Sequence, residues 1–238
     1  MTDELETIKE SAKAAQEIAK TTSQVVGAGQ KLGQFVAKFI NGPLEQISGI
    51  VGDKLIYMRW ERQVRLMKRA DDFMKEINMT SPTREIPLKF AIPLMQAASL
   101  EEDDDLQDLF AKLLINAANE DSGVNIKRTY IDILERINPL EAQILDTIYS
   151  MPFKYTRHKA LLTKDLPGRT DVVPDDPKLE RKNPSPEVQL ALANLAVLGC
   201  LSITKSLGGG QVMGSINQTL LGKKFIEACT LKKGDKSI

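Results

Sequence analysis

The sequence is poor in the residues that carry most enzyme chemistry. It holds one histidine, His158, among 238 residues, which excludes every site that needs two imidazoles. Two cysteines, Cys200 and Cys229, exclude a disulfide-rich secreted scaffold and a four-cysteine zinc site. In a reducing compartment both read as small core residues rather than a bridge. No run of about 18 uncharged apolar residues occurs, so no spanning helix is expected. The opening MTDELETIKE is acidic and lacks the basic and apolar stretches of a signal peptide, so the expected location is the cytoplasm. Net charge is missing as well: 32 Lys and Arg stand against 32 Asp and Glu, which argues against a coat for nucleic acid. There is no nucleophile elbow, Walker motif or dinucleotide fingerprint. Gly208-Gly209-Gly210 lacks the Lys-Ser/Thr of a phosphate loop and reads as a turn. An enzyme is unsupported, and no cofactor or metal is expected.

What is present is material for a core. The chain is 42% hydrophobic, and its length suits one large domain or two small ones at about 150 residues each. The balanced charge hides a pattern. Residues 1–78 carry 12 basic and 11 acidic side chains, 79–150 carry 6 and 13, and 151–238 carry 14 and 8. An acidic middle and a basic end suit parts that face each other, within one chain or between chains. Ordinary solvated faces are the plain reading.

The periodicity is mainly helical. Residues 3–21 read as a polar, Ala-rich helix. In 24–41, Val25, Ala28, Leu32, Val36 and Phe39 recur at helical spacing, joined by Phe35 and Ile40. Gly27, Gly29 and Gly33 interrupt the same stretch, each costing roughly 1 kcal/mol in a helix interior. They imply a close helix contact, a bend or a mobile segment. A second helix starts near Pro43 and runs to about Asn78. Its later half has Leu55, Ile56, Trp60, Leu66, Met67, Phe73 and Met74 on one arc, and Arg62, Arg65, Lys68, Arg69 and Lys75 on the other.

Residues 79–88 read as a linker, followed by a short helix over 88–98 with an internal Pro93. Ser99 and Glu102 match a capping box. Glu101, Glu102, Asp103, Asp104 and Asp105 then lie where a helix dipole favours anions. Leu106, Leu109, Phe110, Leu113, Leu114 and Ala117 give the clearest amphipathic pattern in the chain. Further helices are expected over 126–137 and from Pro139. Residues 164–186 read as a flexible surface loop. A helix follows over 186–198, ended by Gly199, then strands from Cys200 to Thr204 and Gln211 to Asn217, and a helix from Thr219 to Thr230. The expected fold is mainly α. An N-terminal helical region (1–78) and a central helical core (79–138) precede a winged-helix-like module (139–238).

Three groups of side chains are candidates for function. The segment bearing Val25, Leu32, Phe35, Val36, Phe39 and Ile40 could lie on a membrane, pair with a second copy, or pack on the next helix. Arg62, Arg65, Lys68 and Arg69 could hold phosphates, pair with the acidic middle, or stay solvated. Glu101, Glu102, Asp103, Asp104 and Asp105 form an acidic contact face. Metal binding there is disfavoured, because helical carboxylates do not wrap an ion and no Glu-x-x-His partner exists. The 186–198 helix stands where a winged-helix protein reads bases, yet it has no Lys or Arg and reads as a buried structural helix. Lys223, Lys224, Lys232, Lys233 and Lys236 make only a weak phosphate footprint.

Several runs together resemble a known family. Ile86-Pro87 leads into Ala91-Ile92-Pro93-Leu94 and Ala97-Ala98. The acidic cap and Leu106-Gln107-Asp108-Leu109-Phe110-Ala111-Lys112-Leu113-Leu114 follow. Then come Tyr130-Ile131-Asp132-Ile133-Leu134 and Ile137-Asn138-Pro139-Leu140-Glu141-Ala142-Gln143-Ile144-Leu145. With Leu220 to Cys229 at the end, these resemble the bacterial Abi-alpha (abortive infection alpha) family across about two-thirds of the chain. The resemblance implies a role in defence against phage, through growth arrest or death of the infected cell. It brings no catalytic residues.

The expected function is non-enzymatic anti-phage defence by assembly, with itself or with a partner defence protein, in answer to a phage-derived trigger. A membrane-damaging effector that exposes 24–41 on activation is a second expectation. A nucleic-acid-binding regulator using the C-terminal module is a third.

Overall fold

The computed structural model describes residues 34–35, 38–39, 60–156, 158–174, 181–206 and 208–231. It is mainly helical, with a small antiparallel sheet near the C-terminus. Helix α1 (Trp60–Glu76) buries Gln63, Leu66, Ala70 and Met74 at helical spacing. It packs on α2 (Leu88–Leu100) and α3 (Asp104–Ala118). Helix α2 is buried on most sides and tolerates Pro93 within it. Helix α3 is the central element, and Leu106, Phe110, Leu113, Leu114 and Ala117 are all buried as their spacing predicts. Helices α4 (Arg128–Leu134) and α5 (Pro139–Ser150) follow. At α5 the Asn138 side chain accepts from Glu141 N–H, the Glu141 carboxylate accepts from Asn138 N–H, and Pro139 opens the first turn. A single turn, α6 (Phe153–Thr156), leads to the sheet.

Strand β1 (Leu161–Leu162) pairs with β3 (Gln211–Gln218), which pairs with β2 (Leu201–Lys205). Helix α7 (Pro186–Val197) precedes β2, and α8 (Leu220–Ala228) follows β3. Gly199 ends α7 at φ 75°, in the left-handed region. Only two of the three strands are legible in the sequence. A two-residue strand offers no alternation to read, and pairing with β3 alone defines it.

Two expectations need correction. The N-cap of α3 is Asp103, whose carboxylate accepts from Asp105 N–H and Leu106 N–H, both at 3.0 Å. Ser99 instead ends α2, donating its hydroxyl back to Gln96 O at 2.7 Å. A Ser can serve either end of a helix, and here residues 101–103 are needed to turn the chain between α2 and α3. The described parts of 164–186 are also anchored rather than loose. Leu166 is buried, Thr147 donates to Pro167 O at 2.6 Å, and Leu162 N–H donates to Asp171 O at 2.8 Å.

One continuous core joins the central helices to the C-terminal elements, running from Phe35 to Cys229. Helix α8 packs on both α3 and α5. Asn116 on α3, itself buried, donates from Nδ2 to Ala228 O at 2.8 Å and Thr230 O at 2.9 Å. The last turn of α8 is therefore capped by a side chain more than a hundred residues earlier.

Candidate functional site

The arginine face of α1 and the acidic start of α3 meet each other. Arg62, Arg65 and Arg69 fall at i, i+3 and i+7, which places them on one side of the helix. Arg62 pairs with Glu102 and donates to Leu100 O at 3.0 Å. Arg65 pairs with Asp104. Arg69 spans two acids, Nη2 to Asp104 Oδ1 at 2.9 Å and Nε to Asp108 Oδ1 at 2.6 Å. The three cations thus lie over the N-terminal turn of α3, where carboxylates are already favoured by the dipole. Each pair is partly exposed, so each contributes about 0–1 kcal/mol, and their ladder outweighs any one of them.

This is the pairing with the acidic middle that was one of the readings open to these arginines, made within one chain; the basic partner is α1 and not the C-terminal third to which the regional charge pattern pointed. Lys68 stands apart and is exposed. Asp105 is exposed too. Glu101 bends its carboxylate back to accept from Glu102 N–H at 2.8 Å and Asp103 N–H at 2.9 Å. Asp108, one helical turn after Asp104, extends the ladder beyond the acidic contact face read from the sequence, which stops at Asp105.

Of the apolar N-terminal candidates, Phe35 and Phe39 are buried, with ring centroids 5.0 Å apart. Ile86 N–H donates to Phe39 O at 3.0 Å, and Lys38 pairs with Asp71 of α1 at 3.4 Å. Val25, Leu32, Val36 and Ile40 lie outside the described residues, as do the 3–21 helix, the start near Pro43, and Lys232, Lys233 and Lys236.

The expected linker 79–88 has a structural task that its sequence did not reveal. Arg84 donates to Ala117 O from Nε at 2.9 Å and from Nη2 at 2.7 Å, and to Val124 O at 2.6 Å. Thr83 N–H and Arg84 N–H both donate to Ala118 O at 3.0 Å. These bonds satisfy the orphan carbonyls at the end of α3.

Groups with nucleophilic potential are withdrawn from solvent. Cys200 and Cys229 are buried free thiols. Burial, reinforced by Glu141, pushes Cys200 up to about 12, and burial pushes Cys229 up as well. A neutral, inaccessible thiol is a poor nucleophile. Tyr149 is pinned, its hydroxyl donating to Cys200 O at 2.5 Å and accepting from Thr219 N–H at 3.0 Å. His158 is exposed. Among the described residues no group of three or more His, Cys, Asp and Glu side chains could hold a metal ion, and no helix is long and apolar enough to cross a membrane.

Helix α7 differs from the buried helix that its sequence suggested. Val188, Ala191, Leu192 and Leu195 face the core, but Leu190 is 74% exposed and Val197 75% exposed. Asn194 reaches from this helix to Glu141 Oε1 at 2.9 Å. Lys223 and Lys224, the described cations of the suggested phosphate footprint, both turn to Glu227, at 3.6 and 2.8 Å.

A family model described as abortive infection alpha matches residues 61–229, from the first turn of α1 to the residue after α8. No curated protein and no solved structure matches the chain.

Proposed function

The chain belongs to the abortive infection alpha family, and from that premise we propose that it acts in phage defence without catalysis, by assembling with itself or with a partner protein. Membership of the family implies abortive-infection-type defence. The assembly mechanism rests on one observation above all. Helix α7 presents Leu190 and Val197 to solvent, with no Lys or Arg anywhere along its length. Apolar side chains held outward on a well-anchored helix suit a protein partner.

The order of α5, β1, α7, β2, β3 and α8 supports a winged-helix-like reading of the C-terminal elements. In that arrangement α7 is the helix that would enter a DNA groove. A base-reading helix needs donors for base edges and cations for phosphates nearby. This one's amide donors are already engaged, Gln189 with Pro184 O and Asn194 with Glu141 Oε1, both at 2.9 Å, and its one charged side chain is a carboxylate, Glu187. The module is therefore read as a protein-binding use of the same framework.

The commitments of the polar groups support a non-enzymatic reading. The arginines of α1 are engaged with carboxylates, the thiols are buried, and Glu141 serves as a cap. A membrane-active state using the 24–41 segment would have to withdraw Phe35 and Phe39 from the core.

Light scattering on the purified full chain, paired with affinity capture from phage-infected cells, tests the proposal. The expected result is a species larger than 26.4 kDa or a stoichiometric co-purifying protein. A lone monomer in both settings, with defence intact, overturns it.

A further inference from the structure

We infer that the partner for the α7 surface is a second copy of this chain, held in an antiparallel, two-fold contact through α7 and the first turns of α8. The inference rests on the assembly reading above and names its surface. Its basis is the order of side chains along the exposed face. Glu187 lies in the first turn of α7 and has no ion-pair partner among the described residues. Leu190 and Val197 follow on one side of the helix, seven residues and about 10 Å apart. Beyond Val197 the surface continues onto α8. Thr219 donates from Oγ1 to Gly199 O at 2.7 Å, which ties the backbone two residues after Val197 to the residue before Leu220. Leu220 is 64% exposed. Lys224 is one turn further on α8, exposed on the same side as Leu220. It shares the Glu227 carboxylate with Lys223, so two cations face one anion and this end is net positive.

The run thus reads acid, apolar, apolar, apolar, base. Turned end for end, it complements itself. A two-fold contact requires that residue i meet residue j and j meet i. An axis passing between Ala193 and Asn194 sets Leu190 of one copy against Val197 of the other, since the two are equidistant from it. The small Ala193 side chain lets the helices approach to the usual 8–10 Å. The same axis carries Glu187 past Val197 of the second copy, toward Leu220 and Lys224. Each acid then meets the other copy's base, twice per dimer. A parallel arrangement would set carboxylate against carboxylate and lysine against lysine. A stable contact needs about 800 Å² from each partner. Leu190 and Val197 do not fill that area alone, so the extension onto α8 is part of the proposal.

Sedimentation equilibrium of the full chain, with charge reversals, tests this. Glu187→Lys alone and Lys224→Glu alone should each raise the dimer dissociation constant by about tenfold, since each replaces two attractions with two repulsions. The doubly reversed chain, E187K with K224E, should return to within about threefold of wild type. Leu190→Asp should give a monomer of unchanged circular dichroism. A doubly reversed chain that stays as weak as the singles overturns the pairing. A dimer that survives Leu190→Asp overturns the surface and leaves assembly through another face standing. A wild-type chain that stays monomeric at tens of micromolar overturns the two-fold contact. Capture of a different protein by that monomer would keep the broader assembly reading.

Discussion

Arg69 on α1 bridges two turns of α3, its Nε 2.6 Å from Asp108 and its Nη2 2.9 Å from Asp104. The bridge draws the basic helix onto the acidic start of its neighbour, and its Asp108 arm is the pair of the ladder in which both side chains are mostly shielded. Arg69→Ala should destabilise the fold by about 1–2 kcal/mol, between the values for exposed and buried pairs. That corresponds to a fall in Tm of roughly 3–6 °C for a chain of this size. Adding Asp108→Ala should cost less than its single effect, because the partner is already gone. At about 1 M salt, where screening reaches about 3 Å, the gap between wild type and Arg69→Ala should narrow. Equal gaps at low and high salt would mean that the arginine acts through packing instead.

Asn116→Ala should loosen the tail more than the body. It leaves the Ala228 and Thr230 carbonyls without their donor, a loss of about 1–3 kcal/mol for buried groups. Amide exchange at Cys229 to Leu231 should accelerate well before exchange at Leu113 or Leu114. Uniform acceleration across α3 and α8 would argue against a local cap.

Gly222→Ala should fail to reach the wild-type packing. A methyl group there would overlap the Cys200 carbonyl oxygen and the Tyr149 hydroxyl, and that hydroxyl holds the end of α7 to the start of α8. Gly208→Ala meets only Ser206 Oγ at 4.0 Å and should fold normally. Thermal melts of the two variants should differ by several degrees. Indistinguishable melts would contradict the close approach at Gly222.

The Lys223–Glu227–Lys224 cluster sets a pH dependence on both sides. Burial works to raise Glu227, but its hydrogen bond to Lys224 and the charges of Lys224 and Lys223 outweigh it, and its pKa lies below the ordinary value. The stability it contributes is present above the unfolded-state pKa of about 4.3 and is lost as pH falls through the lower folded value. Lys224 is raised, by its hydrogen bond to Glu227 and then by that charge. Its contribution is complete below the unfolded value of about 10.4 and disappears as pH rises through the folded one. Glu227→Gln should flatten both limbs of a stability–pH curve measured by denaturant titration. An unchanged acid limb would remove Glu227 from the account.

The thiols should report folding. Raised by burial, Cys200 and Cys229 should resist a thiol reagent at pH 8 in the native protein and react fully in denaturant. Rapid modification of either in the native state would show that its burial is incomplete.

Local periodicity made much of this architecture readable in advance. The core side of α3, the proline start of α5 and the Gly199 stop after α7 follow from spacing and backbone preference alone. What escaped reading depends on contacts between distant segments. Arg84 looked like linker charge because the carbonyls it holds lie more than thirty residues away. Asn116 gave no sign of capping a helix end more than a hundred residues later. Ser99 and Glu102 matched a capping pattern that the chain uses otherwise, since the helix before them continues through Ser99. Helix α7 is apolar on all sides, so periodicity alone could not separate the side facing the core from the side bearing Leu190 and Val197. The charge split pointed the acidic middle toward the basic C-terminal third, whereas its partners are Arg62, Arg65 and Arg69 of α1. Summed charge over a long segment hides a basic helix face inside a nearly neutral region.

The most direct test of the account is the efficiency of phage plating on cells that carry either the wild-type chain or Leu190→Asp combined with Val197→Asp, at equal soluble protein levels. Both positions are mostly solvent-exposed, so the variant should fold. The account predicts that protection is lost while the protein persists. Full protection by the variant would contradict the claim that this exposed apolar surface carries the function.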